Sequence, residues 1–377
     1  MKGRRGNSEG TITQRKDGRW EARVSLPNGK RKSYYGKSQK EVQKLLLQAR
    51  KDVEAGLPIA DDRQTVAQYF EHWLEMIRHR VKDTGYMTYK RNLNKHILPE
   101  LGNIVLSKLT VQQIQRLYNK KIEDGLAPAS VHNIHTIIHA GLDYAVRLSL
   151  LQRNISDLVQ KPRHQRTRFV TLKEDQVQIF LETVRLHRLA ALYLLALATG
   201  MREGELLGLC WEDVDFPTEI VEVKRSLQFS LGKFKRILGE PKTSNAVRRI
   251  ALPATVLVAL KRHKQLQDEE KRISGELWDG PYDLVFTNTI GRPIHNTWLI
   301  RDFHSLLASC GLPQIRFHDL RHTAATLLLR RGVNPKIVSE MLGHANIAIT
   351  LDVYSHVTPD MQESAAKIMD QIVKRGE

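Results

Sequence analysis

The chain has 377 residues, of which 59 are Lys or Arg and 41 are Asp or Glu, giving a formal net charge of +18. This length predicts more than one domain, and a hydrophobic content of 41% excludes a disordered chain. Two cysteines, Cys210 and Cys310, are too few for a disulfide framework. The longest apolar run, residues 189–198, is too short to cross a bilayer, and no apolar run follows the basic N-terminal residues. We therefore expect a cytoplasmic protein without a membrane partner.

The positive charge is concentrated at the N-terminal end. Residues 1–50 hold 14 Lys or Arg against 4 Asp or Glu, so +10 of the +18 lies there. Such asymmetry predicts a polyanionic partner. A nucleic acid is favoured over a membrane surface because the basic segment has the periodicity of strands, not that of a basic amphipathic helix.

Residues 10–36 have the pattern of a small sheet. Apolar and polar side chains alternate from Trp20 to Leu26, and the turn signals KDG and PNG flank this run. A third strand is predicted in KRKSYYG, and Ser38 is predicted to cap a helix. We predict that residues 1–60 form a three-stranded sheet with one helix, whose strands lie in a DNA groove; an ordinary solvated surface is the alternative. The candidate DNA contacts are Arg15, Lys16, Arg19, Arg23, Lys30, Arg31 and Lys32.

Residues 61–162 are predicted to be entirely helical. Thr65 is the expected N-cap of the first helix, residues 84–97 fit a second, and two more are expected after Thr110 and Ser130. Three histidines at helical spacing in the last of these suggest metal ligands, but no Cys or carboxylate completes a set. We expect solvated or DNA-facing histidines and no metal; they are His132, His135 and His139.

Residues 163–377 are predicted to form a third, mostly helical domain with a small antiparallel sheet. Short strands are expected within residues 219–252, arranged as a meander. Further along, FHDLRHTAATLLLRRG predicts a helix with an apolar stripe. His318, Arg321 and His322 lie on roughly the opposite side of that helix. An anionic ligand or a role in proton transfer would explain such a cluster.

Two further segments carry residues of interest. In ATGMREGE, Arg202 follows an apolar run, where a guanidinium needs an anionic partner; Glu205 and Asp213 are the candidates. In LGHANIAITLDVYSHV, Gly343 is expected to end one helix, and Tyr354 lies on the next. Taken alone, each of these residues has an ordinary structural explanation.

Together these segments resemble the tyrosine recombinases, in particular phage and conjugative-transposon integrases with an N-terminal arm-binding domain. The resemblance covers nearly the whole chain. It rests on ATGMREGE, EPKTSNAVRRIAL, HDLRHTAAT, LGH and DVYSH, which supply the family's catalytic residue types in the family's order. The catalytic positions implied are Arg202, Lys242, His318, Arg321, His344 and Tyr354.

The resemblance implies a multidomain α+β protein with an arm-binding domain (1–60), a helical core-binding domain (61–162) and a catalytic domain (163–377). It implies strand cleavage and rejoining through a 3′-phosphotyrosine, with neither metal, ATP nor another cofactor. The implied partners are double-stranded DNA at core and arm sites and three further copies of the chain; an excision factor or a host DNA-bending protein are optional helpers.

The same residues leave other functions open. A monomeric nicking-closing enzyme of the type IB topoisomerase kind would use the same chemistry, but has no use for an arm-binding domain. A DNA-binding regulator would not need the Tyr, Lys and His set. A metal-dependent nuclease would need a paired carboxylate and histidine cluster, which the sequence does not offer.

Overall fold

The computed structural model describes residues 10–25, 31–54, 64–163, 170–229, 236–239, 247–280 and 282–354, together with 366, 369, 370 and 373. The chain divides into two compact units, Met1–Arg166 and Thr167–Glu377. It is mostly helical with small antiparallel sheets, which confirms the predicted α+β class. The further boundary at residue 60 lies outside the described residues, and the three-domain division stays a prediction. Nowhere in the described ranges is a helix both long and apolar enough to span a membrane.

The first unit begins with the predicted small sheet. Strands β1 (Thr11–Gln14), β2 (Trp20–Ser25) and β3 (Arg31–Gly36) are antiparallel in that order, and helix α1 (Gln39–Glu54) packs against them. Ser38 Oγ accepts the backbone N–H of Glu41 at 3.2 Å, as expected of an N-cap. The sheet and helix enclose a small hydrophobic core of their own, formed by Ala22, Val24, Val42, Leu46 and Ala49.

The rest of the first unit is helical around a second, larger core. Its helices are α2 (Val66–Ile77), α3 (Asp83–Asn92), a π-helical turn (Leu93–Ile97), α4 (Leu98–Leu101), α5 (Val111–Glu123) and α6 (Pro128–Arg147). Thr65 and Thr110 are N-caps, each with a reciprocal Gln three residues later. Helix α6 begins at Pro128, earlier than predicted, because proline is pre-organised for the first helical position.

The second unit is built around helix α8, which is apolar on all sides. Its helices are α7 (Glu174–Val184), α8 (Ala190–Thr199), α9 (Glu203–Leu207), α10 (Ala254–Ser274), α11 (Asn296–Ser309), α12 (Asp319–Arg330), α13 (Pro335–Leu342) and α14 (Ala348–Tyr354). Leu192, Tyr193 and Leu195 of α8 are fully buried. Helices α7, α10 and α12 all contact α8, so α8 packs against three other helices of this unit.

The strands of the second unit are antiparallel, but they do not form the predicted meander. They are β4 (Val214–Asp215), β5 (Ile220–Val223), β6 (Ser226–Phe229), β7 (Arg236–Gly239) and β8 (Arg248–Ala251). One sheet has the order β4-β5-β8, whereas β6 and β7 pair only with each other. The meander was wrong because the pairing of β5 with β8 spans the intervening hairpin, and strand periodicity alone does not specify a long-range partner.

Candidate active site

A tight turn after α8 forms the base of the site. Gly200 ends α8 in the left-handed conformation, with a φ of 60°. A β-carbon at this position would lie 2.3 Å from Leu342 Cδ2 of α13, so both the backbone conformation and the packing require glycine. The turn brings Arg202, the N-cap residue of α9, beside the C-terminus of α13.

Arg202 is held by two acceptors. Its Nη1 donates to Glu205 Oε1 at 2.7 Å, and its Nη2 donates to the carbonyl oxygen of Gly343 at 3.0 Å. The expected carboxylate partner is thus Glu205, while Asp213 instead accepts from Arg225 at 3.1 Å. Because 40% of the Arg202 side chain is exposed, the guanidinium is both fixed in place and accessible to a ligand.

Arg321, on the first turn of α12, is a buried cation with an unused donor. Only 3% of the residue is exposed. Its Nη1 donates to the carbonyl oxygen of Gly200 at 2.8 Å, whereas its buried Nη2 has no hydrogen-bond partner among the residues that the structure describes. Burial, and then the nearby charge of Arg202, lower the pKa of Arg321 to about 9, so the group is still charged at neutral pH.

His318 and His322 pack together beside Arg321. Their rings meet edge-to-face with centroids 5.2 Å apart. Burial, and next the charge of Arg321, hold the pKa of His318 below its usual range. Burial and the neighbouring His318 lower the pKa of His322 to about 4. Both imidazoles are therefore neutral at physiological pH, and a neutral imidazole can accept a proton.

His344 enters the site from the turn after α13. Gly343 precedes it in the left-handed conformation, with a φ of 66°, as the sequence predicts for a helix end. His344 Nδ1 lies 2.8 Å from Oγ1 of the buried Thr350. Burial and the charge of Arg321 lower the pKa of His344 to about 4. A Thr350 hydroxyl that donates to Nδ1 leaves the single ring proton on Nε2, which then serves as a donor.

Arg248 is a member of the site that the sequence-based predictions missed. It begins β8, and its Nη2 donates to Glu205 Oε2 at 2.8 Å. Only 7% of its side chain is exposed, while 63% of the adjacent Arg249 is exposed. The alternation of the strand was a usable signal, because Arg248 shares the face of the buried Ile250.

Two predicted catalytic residues, Lys242 and Tyr354, have no described side chain. Lys242 lies outside the described residues, six positions before β8. Tyr354 is the last residue of α14, and the described structure of this residue is limited to its helical backbone. Helix α14 packs against both α12 and α13, which carry the Arg321 and His344 motifs. The structure thus brings together Arg202, His318, Arg321 and His344, and their joining by Lys242 and Tyr354 stays a prediction.

The predicted DNA contacts of the first unit include two arginines that already have carboxylate partners. Arg19 Nη2 donates to Asp17 Oδ2 at 2.7 Å, and Arg23 contacts both oxygens of Glu21 at 3.0 and 3.1 Å. Glu21 is 5% exposed, and its pKa lies below the usual range, mainly because it accepts the hydrogen bonds from Arg23. Arg23 is therefore oriented on the solvent face of the sheet.

The other predicted DNA contacts lie along the same small sheet. The guanidinium of Arg15 lies 5.4 Å from the ring centroid of Tyr35, and Lys32 Nζ lies 5.6 Å from that of Tyr34. Lys16 and Arg31 are exposed, and Lys30 lies outside the described residues. Because Lys32 pairs with Val24 across β2 and β3, it lies on the opposite face from Arg23.

The three histidines of α6 each contact another group. His132 Nε2 lies 2.7 Å from the carbonyl oxygen of Pro162, His135 Nδ1 lies 3.0 Å from Tyr118 Oη, and His139 Nε2 lies 2.9 Å from Asp157 Oδ1. Within the described ranges, no three His, Cys, Asp or Glu side chains form a group that could hold a metal ion. These contacts fit a structural role for the three side chains.

Comparison with known proteins links both units to one family. Residues 170–361 match the model of the phage integrase family, and residues 65–122 match the N-terminal SAM-like domain of phage integrases. A "Tyrosine recombinase XerC-like" protein of Caldanaerobacter subterraneus subsp. tengcongensis is 32% identical over 364 residues, which are 92% of this chain and 93% of that protein. The ICEBs1 integrase of Bacillus subtilis is 29% identical, over 78% of this chain and 79% of the relative.

Solved structures show the same fold. The Tn1549 transposon integrase in complex with transposon right end DNA superposes with a TM-score of 0.69 at 24% identity, covering 82% of this chain and all of that one. A lambda integrase tetramer bound to a Holliday junction has a TM-score of 0.57 at 17% identity and covers 93% and 96% of the two chains. The family match spans more than half of the chain, including every described residue of the site. The chain therefore belongs to the phage integrase family and is a tyrosine recombinase, an enzyme that cleaves and rejoins DNA strands when mobile elements are integrated or excised.

Proposed function

We propose that Arg202, Lys242, His318, Arg321, His344 and Tyr354 are the catalytic residues of this recombinase. The observation that carries the proposal is the buried guanidinium of Arg321, whose Nη2 has no hydrogen-bond partner in the described part of the chain. A buried cation with an unused donor is costly unless an anion binds it. Its neighbours Arg202, His318 and His344 offer further donors and a proton acceptor, which together suit a phosphate.

The two arginines would stabilise the charge that develops during cleavage. Strand cleavage without a metal passes through a pentacoordinate phosphorane that carries additional negative charge, and fixed cations stabilise it more than they stabilise the substrate. Arg202 is fixed by Glu205 and Gly343, and Arg321 by Gly200, so little reorganisation is needed during the reaction. Each guanidinium can bind a non-bridging oxygen of the scissile phosphate.

The histidines would move or share protons. His318 is neutral at pH 7 because burial lowers its pKa, which suits a general base for the tyrosine hydroxyl. His344, oriented by Thr350, would donate from Nε2 to a phosphate oxygen. His322 packs on His318 and supports it without a catalytic role of its own.

Tyr354 would be the nucleophile and Lys242 the general acid. Attack by the Tyr354 oxygen on phosphorus forms the 3′-phosphotyrosine, and the bond to the 5′-oxygen breaks as Lys242 donates a proton to it. The 5′-hydroxyl of a partner strand then attacks the phosphotyrosine, releases the tyrosine and restores a phosphodiester. The phosphotyrosine conserves the energy of the broken bond, so no ATP is needed.

We further propose that the substrate is double-stranded DNA bound at both core and arm sites, and that four copies of the chain act together. The net charge of +18 favours DNA, and the two fold relatives described above were solved on DNA, one of them as a tetramer. An excision factor or a host DNA-bending protein would be compatible with this arrangement. A nicking-closing enzyme would instead relax supercoiled DNA as a monomer, without exchanging strands between two duplexes.

The test is covalent trapping on a nicked suicide substrate, followed by denaturing electrophoresis. The wild-type chain should give a protein–DNA band, and addition of EDTA should leave it unchanged. Tyr354→Phe should give none while binding DNA nearly as well, because only the nucleophilic oxygen is removed. A covalent band from Tyr354→Phe would contradict the assignment of the nucleophile, and loss of the wild-type band with EDTA would favour a metal-dependent nuclease.

A further inference from the structure

Glu205 lies between two arginines. Its Oε1 accepts from Arg202 Nη1 at 2.7 Å, and its Oε2 accepts from Arg248 Nη2 at 2.8 Å. Arg248 Nη1 also lies 3.3 Å from Oε1, so that Arg248 contacts both oxygens of the carboxylate. The side chains of Glu205 and Arg248 are 3% and 7% exposed. In such a buried place, an ion pair is screened far less by water than at the surface.

The guanidinium of Arg248 is also fixed against the turn that carries His344. Its Nε donates to the carbonyl oxygen of Met341 at 2.6 Å. A β-carbon at Gly343 would come within 3.0 Å of Arg248 Nη1, so the turn packs directly on the guanidinium. Arg248 thus links β8, α9 and the end of α13, three elements that are far apart in the sequence.

The charges in this cluster do not balance as a simple ion pair. With Arg202 alone, Glu205 would form a neutral pair, and the positive charge of Arg202 would be largely cancelled at the phosphate. With Arg248 present, the two arginines and one carboxylate leave one net positive charge. Burial by itself would raise the pKa of Glu205, but the hydrogen bonds and charges of Arg248 and then of Arg202 together lower it, so the carboxylate stays ionised.

We propose that Arg248 is a positioning residue for strand cleavage: it neutralises Glu205, so that Glu205 can orient Arg202 without cancelling its charge at the scissile phosphate. This role rests on the proposed function of the site. Arg248 itself need not touch the DNA. Because it acts through Glu205, its importance should depend on the presence of the Glu205 charge.

The dependence on Glu205 gives a direct test, a double-mutant cycle in the full-length chain. The rate of covalent trapping on the suicide substrate is measured for Arg248→Gln, Glu205→Gln and the double variant, with DNA binding measured in parallel. Arg248→Gln should slow trapping by roughly 10²-fold, the scale expected of one uncompensated charge close to the reacting phosphate at an effective dielectric constant of about 20. Adding Glu205→Gln to Arg248→Gln should restore the rate by about 10-fold, because the uncompensated carboxylate is then gone.

The outcomes separate the charge role from a purely structural one. If the rate reductions of the two substitutions multiply, so that the double variant traps more slowly than either single variant, the proposal is overturned. Arg249→Gln is the matched control, because Arg249 is the exposed neighbour that contacts Glu222 instead, and its rate should equal that of the wild type. A wild-type chain that forms no covalent band would contradict the proposed function itself, whereas a cleaving wild type with multiplicative effects contradicts only the role of Arg248.

Folding is checked by thermal melting of every variant. Should Arg248→Gln not melt cooperatively, Arg248→Lys takes its place, because lysine keeps the positive charge and lacks only the planar guanidinium that donates to two acceptors at once. Under the proposal, a folded Arg248→Lys protein cleaves within about 10-fold of the wild type. If a folded Arg248→Lys protein cleaves more slowly than this, the guanidinium geometry and not the charge is required, and the proposal is overturned.

Discussion

At the scale of the residue, Arg321 shows that the site is arranged for a ligand and not for the stability of the free protein. The lowered pKa, about 9, corresponds to a destabilisation of the charge on the order of 3 to 5 kcal/mol. The hydrogen bond to Gly200 stabilises the folded protein by only about 1 kcal/mol. The free energy of unfolding should therefore rise when this charge is removed, although cleavage is lost.

We expect Arg321→Met to stabilise the free protein by about 1 to 3 kcal/mol and to abolish covalent trapping. Differential scanning calorimetry should then show a melting temperature several degrees higher than that of the wild type. Sulfate ions should raise the melting temperature of the wild type more than that of the variant, because Arg321 supplies a donor for the anion. Arg301→Met, on the exposed surface of α11, is the control and should change stability by less than about 0.5 kcal/mol. A lower melting temperature for Arg321→Met would contradict this account.

The neutral histidines of the site predict a dependence of stability on pH. The pKa values of His322 and His344 are about 4 in the folded chain, and that of an unfolded histidine is about 6.5. As pH falls below about 6.5, the unfolded state binds protons that the folded state does not, so the free energy of unfolding decreases. The melting temperature should fall between pH 7 and pH 5, and His322→Gln should make that fall shallower. His72→Gln, at an exposed position of α2, is the control and should leave the fall of the melting temperature unchanged. An equal fall for the wild type and for His322→Gln would contradict the prediction.

At the scale of the element, two helices that end in glycine position the arginines and histidines proposed to be catalytic. Gly200 provides both the acceptor for Arg321 and the turn before Arg202. Gly200→Ala should lower the free energy of unfolding by about 2 to 4 kcal/mol, because it adds a clash with the buried Leu342 to the cost of a left-handed alanine. Gly311→Ala is the matched control: its φ is +66°, but nothing lies within 4 Å of the added carbon, so about 1 kcal/mol is expected.

Urea denaturation of both variants measures the difference, and trapping on the suicide substrate measures the effect on the site. Gly200→Ala should also reduce cleavage, since the shifted turn carries the acceptor of one arginine and the backbone of the other. Equal stability losses at Gly200 and Gly311 would mean that Leu342 moves aside, and that the close packing of α8 on α13 does not constrain the turn.

The elements also show which features a sequence alone can predict. Helix caps at Ser38, Thr65 and Asn334 were predictable because each depends on a hydrogen bond to a residue two or three positions away. The site was predictable as an ordered set of residue types through the family resemblance. The alternation of β8 could have indicated that Arg248 is buried, but not that Glu205 is its partner, because Glu205 lies 43 positions away on another element. The strand order was wrong for the same reason, since pairing between distant segments has no local signal.

At the scale of the whole molecule, we expect the N-terminal sheet to act as a separate DNA-binding module. Its hydrophobic core of five buried residues is distinct from that of the helices that follow. Residues 10–36 carry +5 of the +10 excess charge of the first 50 residues. Because Arg23 is already held by Glu21, its orientation toward the solvent face needs little ordering on binding. These features fit a surface that binds DNA apart from the catalytic unit.

We expect the fragment 61–377 to retain cleavage and to lose recombination. The proposed catalytic residues all lie at or after Arg202, so the fragment should form the covalent band on core-site DNA. Recombination between natural sites should fail, because one chain that bridges an arm site and a core site raises the effective concentration at which the complex assembles. The isolated segment 1–60 should bind DNA with a slope of log K against log salt of about −4 to −5, as expected for about five phosphate contacts. Full recombination by the 61–377 fragment would show that the basic sheet is an accessory surface and not a second DNA-binding domain. A salt slope near zero for residues 1–60 would exclude the proposed phosphate contacts of the Arg and Lys side chains on this sheet.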